Sequence, residues 1–177
     1  MVTVSAEASW SSSADDASAA LGRRATYLCF PGVSARGARE RNLDHALDLP
    51  IVDRQRQTAA LTVGRPRGKE TRERRFALRG DLVAIAGCWR LEPHAGGVRV
   101  RLTLAYDIAA PLKTLAVDTL RSRSPLPIRT DADAILSRAV DEFFETRFAE
   151  QAAAYCERVG ARLERPARGR RRAQDRA

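Results

Sequence analysis

Three polar side chains on predicted strands carry the chemistry that this sequence offers. Arg74, Tyr106 and His45 share a strand face with bulky apolar residues, so strand periodicity turns all three towards the protein interior. An inward arginine must meet an anion or line a wet pocket, a tyrosine can donate to a carbonyl, and a histidine titrates closest to neutral pH. We therefore take these three as candidate catalytic residues.

Each candidate also has a purely structural interpretation. Arg74 stands beside Arg72 and Arg75 and can reach solvent from the end of its strand. Tyr106 can be a core tyrosine whose hydroxyl is satisfied at the edge of the core. A single histidine on an apolar strand face, such as His45, is more often a hydrogen-bonded core residue than a catalyst. Both interpretations stay open at the level of sequence.

Other inward positions, or positions that border the predicted interior, are expected to contact a substrate. They lie on the apolar strand faces, on a short helical segment before the sheet, or beside the apolar stripe of the last helix. They are Tyr27, Gln57, Leu61, Phe76, Trp89, Leu104, Phe143 and Arg147. For Trp89, packing between sheet and helix is the favoured interpretation over stacking on a ligand.

Motifs for metals, nucleotides and nucleophilic catalysis are incomplete. In segment 64–71 the glycines of a phosphate-binding loop are one residue too close, and Glu70 separates the lysine from the threonine. No nucleophile elbow is present. The two histidines are far apart in sequence, and the three cysteines form no C-x-x-C pair. We predict no metal and no cofactor.

Hydrophobic periodicity predicts the elements that must position these side chains. A first strand is followed by two short helical segments, then by strands of alternating pattern, a short helix and a long last helix. The predicted ranges are 2–8 for the first strand, 13–22 and 24–30 for the helical segments, 43–51, 57–63, 74–78, 83–91 and 98–106 for the later strands, and 112–120 and 132–162 for the last two helices. Residues 94–97 predict a hairpin, and Ser13 with Asp16 predicts a helix cap.

The last helix carries the widest apolar stripe. Its apolar residues recur at every fourth position from Leu136 to Cys156, and neighbouring positions widen the stripe. Thr130 is the predicted cap. At about 1.5 Å per residue the helix is longer than 40 Å and can lie across a whole sheet.

Length and composition limit the chain to one folded domain. It has 177 residues, of which 44% are hydrophobic and 30% are charged, which suits a single packed core with a wet surface. No apolar run is long enough to cross a membrane, and the first residues lack the pattern of a secretory signal. We expect a cytoplasmic protein with reduced cysteines.

The positive charge is concentrated at the C-terminus. The formal net charge is +9, and seven arginines against two acidic residues lie in segment 162–177. We expect a folded domain over 1–163 and a disordered basic tail over 164–177. A solubilising tail is favoured over binding of RNA or anionic lipid, so no specific nucleic-acid partner is predicted.

The predicted element order and one hairpin resemble a known family. The run Ile85 to Val100, which contains Gly-Cys-Trp-Arg-Leu-Glu-Pro-His-Ala-Gly-Gly-Val-Arg-Val, and the ending Leu104 to Ile108 resemble the START-like (SRPBCC) superfamily, in particular its polyketide cyclase/dehydrase and coenzyme-Q-binding branch. The resemblance covers most of 1–163. It implies an α+β helix-grip fold, in which a curved antiparallel sheet of six to seven strands wraps a long C-terminal helix, two short helices follow strand 1, and a deep pocket lies between sheet and helix.

The resemblance also implies a choice between two functions. The first is a cofactor-independent bacterial polyketide aromatase/cyclase that binds a hydrophobic poly-β-ketone, which could be bound to an acyl carrier protein, and promotes aldol cyclisation and dehydration. The second is a non-catalytic carrier of lipids or quinones. Some relatives place an acid on the last helix where this sequence has Phe148, with Glu145 one turn away. The oligomeric state, with a homodimer as one option, is left open.

Overall fold

The computed structural model describes residues 1–36, 42–49, 51–123 and 132–164. Within these ranges, seven strands and four helices follow one another. They are β1 (Val2–Trp10), α1 (Ala14–Ala20), α2 (Arg24–Tyr27), β2 (Val33–Ala35), β3 (Asn42–Leu47), β4 (Gln55–Val63), β5 (Arg72–Arg79), β6 (Val83–His94), β7 (Gly97–Ile108), α3 (Ala110–Arg123) and α4 (Ala132–Glu164). This order is the one that periodicity predicts, with β2 added.

The strands form one antiparallel sheet in the order β1-β7-β6-β5-β4-β3-β2. Strands β2 to β7 are neighbours in sequence order, and β1 pairs with β7 at the far edge. The two short helices α1 and α2 therefore carry the chain from one edge of the sheet to the other. A curled sheet of this kind with a long C-terminal helix confirms the predicted helix-grip fold.

The β6–β7 hairpin is the longest part of the sheet. His94 pairs with Gly97 around a two-residue turn, as predicted. Gly97 has a φ of 142°, and a Cβ there would lie 2.1 Å from the Trp10 carbonyl oxygen, so only glycine fits. The apolar residues of β7 from Val98 to Leu104 lose all contact with solvent, because alternate side chains point to the same face.

Helix α4 approaches the sheet most closely at β1. A Cβ on Gly160 would lie 2.5 Å from Trp10 Nε1, so the missing side chain lets helix and strand touch. The buried stripe of α4 includes Val140, Phe144, Phe148 and Ala152, as the fourfold spacing predicts. Away from β1, aromatic side chains from the sheet, from the α2 region and from α4 contact one another in the wedge between helix and sheet.

A local signal explains the start of α1, whereas the end of β3 differs from its pattern. The Ser13 hydroxyl accepts a hydrogen bond from the Asp16 N–H at 3.1 Å, which confirms the predicted cap of α1. The β3 pattern ends at Leu47 rather than at residue 51, although Ile51 is still buried. Apolar side chains can be buried beyond the end of the paired strand, so the alternation of apolar residues overestimates the length of the strand.

Two predictions fall wholly or partly outside the described residues. The basic tail lies beyond Glu164, and the capping residue Thr130 precedes the first described residue of α4. Within the described ranges, no helix has both the length and the apolarity that crossing a membrane requires.

Candidate functional site

An aromatic layer occupies the wedge between the sheet and α4. The rings of Phe30 and Tyr155 lie 4.9 Å apart, those of Trp89 and Tyr155 5.2 Å, and those of Tyr27 and Phe76 4.9 Å. These five side chains are fully or almost fully buried. We call this set the aromatic layer. It stands where the resemblance implies an open pocket.

The sheet is built to receive this layer. Phe76 and Trp89 come from neighbouring strands, with ring centroids 6.5 Å apart. A Cβ on Gly87, which pairs with Phe76 across the strands, would lie 2.2 Å from the Phe76 ring. Glycine at this position gives the ring the space that a larger residue would occupy.

A second aromatic contact lies under β7. The Tyr106 ring stacks on Phe148 of α4, with centroids 3.8 Å apart and planes only 4° from parallel. Phe144 follows at 5.9 Å from Phe148. The contact joins the predicted catalytic tyrosine to the helix position at which the resemblance implies an acid in some relatives.

Four donors of this interior are buried without a hydrogen-bond partner in the described part of the chain. They are Trp89 Nε1, Tyr106 Oη, Tyr155 Oη and, where β1 meets α4, Trp10 Nε1. Most buried polar groups in proteins are paired, so four unpaired groups in one interior need an explanation. Tyr27 provides the contrast, because its hydroxyl donates to the Leu21 carbonyl at 2.7 Å.

Burial keeps the tyrosine hydroxyls protonated. Loss of hydration raises the pKa of Tyr106 above its usual value of 10.0. Burial likewise raises the pKa of Tyr155. At neutral pH both groups are therefore hydrogen-bond donors and not bases.

His45 and Gln57 form a buried pair at the other side of the interior. Gln57 Oε1 accepts the N–H groups of Leu82 and Val83, so its Nε2 must be the donor to Val83 O at 2.8 Å and to His45 Nδ1 at 3.3 Å. The ring proton of His45 then lies on Nε2. Burial lowers the pKa of His45 to about 4, so the ring is neutral at pH 7.

Arg74 is only partly buried. Its Nη1 donates to the Gly64 carbonyl at 3.0 Å, and a Cβ on Gly22 would lie 3.1 Å from the same atom. Its Nε is buried with no partner among the residues that the structure describes. The positive charge lies near Tyr27, where it partly opposes the burial that raises the pKa of that tyrosine.

Strand register separates the three candidate catalytic residues. Arg74 is paired with Trp89, and Tyr106 with Ile85, four positions away on β6. Arg74 and Tyr106 are therefore separated by about 13 Å along the strands and by about 10 Å across them. Gln57, the partner of His45, contacts β6 at Val83, which is about 20 Å along the strand from Trp89. The structure does not bring the three side chains to one point.

Two residues that border the helix stripe differ from the prediction. Phe143 is 48% exposed, because its position on α4 faces away from the sheet. It therefore does not line the interior. Arg147 is held at the surface by Asp48 and by Glu150, whose carboxylate accepts from Nη1 at 2.8 Å. Leu104 is fully buried and Leu61 partly buried on the sheet.

Phe30 and Tyr155 are interior residues that the sequence patterns did not single out as functional. Tyr155 lies in the apolar stripe of α4, and its hydroxyl within that stripe is the sequence feature that could have indicated a functional role. Phe30 precedes a Pro-Gly turn and has no periodic pattern. Its ring also meets His45 edge-on at 5.8 Å. Among the described residues, no group of His, Cys, Asp and Glu side chains is arranged to hold a metal ion.

Comparison with known proteins identifies the fold. No known family matches the sequence, and no curated protein matches it significantly. The Zhui aromatase/cyclase of a Streptomyces species is 16% identical, with 94% of this chain and 97% of that one aligned and a TM-score of 0.50. A conserved protein from Geobacillus kaustophilus is 11% identical over 91% of this chain and 93% of its own, also with a TM-score of 0.50.

A START superfamily protein from Mycobacterium smegmatis is 14% identical over 85% of this chain and 96% of its own, with a TM-score of 0.43. At such identities the likeness is one of fold. The chain has a helix-grip fold, which it shares with the Streptomyces aromatase/cyclase.

Proposed function

We propose that this protein binds a small, largely apolar molecule with carbonyl oxygens between the sheet and α4, and that this molecule is a poly-β-ketone whose aldol cyclisation it promotes. The observation that carries the proposal concerns three of the four buried interior donors without partners, Trp89 Nε1, Tyr106 Oη and Tyr155 Oη. Leaving a buried donor unpaired costs about 1–3 kcal/mol, and a ligand with acceptor oxygens removes that cost.

The chemistry of a poly-β-ketone suits such an interior. It carries a carbonyl on every second carbon, so a folded chain presents acceptors at intervals to separated donors. The aromatic layer provides apolar surface for the carbon chain. The fold likeness to a protein described as an aromatase/cyclase supports this choice of ligand class.

The interior residues have distinct parts in the proposed reaction. Tyr106 and Tyr155 stay protonated, so each can stabilise an enolate oxygen as a neutral donor in a dry environment. Arg74 adds a positive charge at the end of the sheet, with its Nε available to an oxygen. His45, neutral at pH 7, offers its Nε2–H as a further donor. Holding the chain bent supplies the proximity that ring closure needs.

Room for the ligand requires the stacked rings to separate. Tyr106 and Phe148 are in face-to-face contact, so a ligand oxygen reaches the Tyr106 hydroxyl once Phe148 rotates aside. Rotamer changes of this kind are common on binding. We therefore expect ligand binding to change the environment of Phe148.

A carrier without chemistry is the second candidate, and one observation favours it. All carboxylate side chains in the described ranges are exposed or partly exposed, so the interior has no buried acid. His45 with a pKa of about 4 is also a weak base. A lipid or quinone carrier needs neither group.

Binding is tested by tryptophan fluorescence. The two tryptophans of the chain, Trp10 and Trp89, have ring centroids 5.7 Å apart, so both report on the interior. Titration with 1,8-dihydroxyanthraquinone, which carries two carbonyls on an apolar frame, is expected to give saturable quenching. Tyr106→Phe should weaken binding about tenfold, the value of one buried hydrogen bond. Absence of saturable quenching would refute binding.

Catalysis is tested by the products formed from a poly-β-ketone generated in the same reaction. Arg74→Gln and Tyr106→Phe are expected to shift the distribution of cyclised products, measured by liquid chromatography and mass spectrometry. Arg75→Gln is the matched control, because Arg75 is the exposed neighbour on the opposite face of β5. If the protein binds the anthraquinone but leaves the distribution of cyclised products the same as in its absence, the carrier function is favoured.

A further inference from the structure

A second cavity, separate from the aromatic layer, opens where α4 passes the turn between α2 and β2. It has a volume of about 380 Å³ and is lined by Arg54, Arg147, Arg158, Gln151 and Asp48 together with the turn at Gly32. We call it the arginine cleft. Its size is in the range of cavities that hold small molecules.

The charge in the arginine cleft is not balanced. Asp48 is already engaged by Arg147, which donates to it from Nη2 and also donates from Nε to the Asp48 carbonyl at 3.3 Å. Glu150 accepts from the remaining nitrogen of Arg147. Arg54 and Arg158 have no acidic partner in the described ranges. Two guanidinium groups therefore face this cavity with unused donors.

Gln151 provides an independent observation. Its residue is only 9% exposed, it lines the arginine cleft, and it makes no hydrogen bond to any residue that the structure describes. The residue as a whole is buried, yet its amide atoms are not among the fully buried unpaired atoms of the described chain, so the amide opens into the cleft and is available to a ligand. The amide NH₂ group is a suitable donor to an anionic oxygen.

Helical spacing brings these groups to one face of α4. Arg147, Gln151 and Arg158 are separated by four and seven residues, so they lie along one side of the helix. Arg54 reaches the cavity from the segment before β4 and also lines a neighbouring cavity of about 590 Å³ with Arg56. Donors from two separate parts of the chain thus converge on one space.

We propose that the arginine cleft binds the oxyanion group, phosphate or carboxylate, of a small molecule. Arg54 and Arg158 supply the positive charge, Gln151 donates from its amide, and the ion pairs of Arg147 hold that side chain in the wall. Guanidinium groups match the planar or tetrahedral oxygens of such anions with paired hydrogen bonds. The remaining volume accommodates the organic part of the ligand. This proposal does not depend on ligand binding in the aromatic layer.

Calorimetric titration of the full chain at low salt tests the proposal with hexyl phosphate, hexanoate and hexanol as probes. Hexyl phosphate, hexanoate or both are expected to bind, and hexanol is expected not to bind. Inorganic phosphate alone then measures the contribution of the head group. Preference for one anion identifies the head group, whereas equal binding of hexanol would overturn the proposal.

Variants separate the cleft from general attraction to a basic protein. Arg158→Gln is expected to weaken binding at least about tenfold, because a hydrogen bond to a charged group is lost. Gln151→Glu, which changes shape little, should abolish binding by repulsion. Arg138→Gln is the matched control, since Arg138 is exposed on the same helix about 30 Å away. Equal affinity in Arg158→Gln and Arg138→Gln would overturn the proposal.

Discussion

Replacing a buried tyrosine by phenylalanine is expected to stabilise the protein at some positions and to destabilise it at another. Tyr106 and Tyr155 bury a hydroxyl that has no partner in the described structure, whereas the Tyr27 hydroxyl donates to Leu21 O at 2.7 Å. All three side chains are fully buried. Replacement by phenylalanine removes one oxygen in each case and leaves the ring in place. The sign of the stability change then reports whether the oxygen was paired.

The expected magnitudes follow from hydrogen-bond energetics. An unpaired buried hydroxyl costs about 1–3 kcal/mol, so Tyr106→Phe and Tyr155→Phe should each raise the free energy of unfolding by about 1 kcal/mol or more. Tyr27→Phe leaves the Leu21 carbonyl without its donor and should lower the free energy of unfolding by about 1 kcal/mol. For a chain of this length each kcal/mol corresponds to about 2–4 °C in Tm.

Guanidinium denaturation and differential scanning calorimetry of the ligand-free protein measure these changes. Tyr27→Phe is the control that shows the assay can detect a lost hydrogen bond. Losses of about 1 kcal/mol in Tyr106→Phe and Tyr155→Phe, equal to the loss in Tyr27→Phe, would mean that their hydroxyls are paired. That result would remove the observation on which the proposed function rests.

Two further predictions concern the buried pair under β3 and β4. Acidification from pH 7 to 4 should lower the free energy of unfolding of the wild type by about 3 kcal/mol more than that of His45→Leu. The pKa of His45 is lowered to about 4 in the folded protein, so the unfolded chain binds the proton first and stability is lost as the pH falls from about 6.5 to 4. Urea denaturation at both pH values measures the change, and His94→Leu, at an exposed histidine, should behave as the wild type. Gln57→Leu should lower the free energy of unfolding by about 3 kcal/mol in the same assay, since it leaves the Leu82 and Val83 backbone groups without their partner. Gln55→Leu, at the first residue of β4, should lower it by less than about 0.5 kcal/mol, and equal effects of the two glutamine variants would contradict this account.

The two proposed sites differ in the kind of ligand group that they can bind. The aromatic layer offers apolar surface and neutral donors, and the arginine cleft offers positive charge. Gly32 lines the cleft and lies close to His45, whose ring faces Phe30 of the aromatic layer. Neighbouring but different parts of the fold are thus proposed to bind the anion and the apolar ligand, and the substitutions that test one site leave the other site unchanged.

Local patterns were sufficient to predict the elements. The alternation in β6 and β7, the turn at residues 95–96, the Ser13 cap and the fourfold spacing in α4 all depend on residues close in sequence. Strand β2 was missed because three residues give too short a pattern to recognise. The inward orientation of His45, Gln57 and Tyr106 also followed from parity and is confirmed by their burial.

Periodicity assigns a side chain to a face but does not say what lies opposite. Arg74, Tyr106 and His45 share the inner face, yet strand register sets them apart by a distance that no single strand pattern contains. Phe143 and Phe144 are adjacent in sequence, but only Phe144 meets the sheet. The helix rotation that decides between them depends on packing against β1.

Periodicity in the sequence predicts the longer strands, the long last helix and the inward orientation of strand residues, because backbone geometry repeats with fixed periods of 2 and 3.6 residues. The folded chain sets which hydroxyls are paired, which rings pack between sheet and helix, and where arginines from separate segments converge. Those outcomes depend on contacts between distant parts of the chain, such as Tyr106 with Phe148 and Arg54 with Arg158 across one cavity. Such contacts are fixed by packing in three dimensions and leave no period in the sequence.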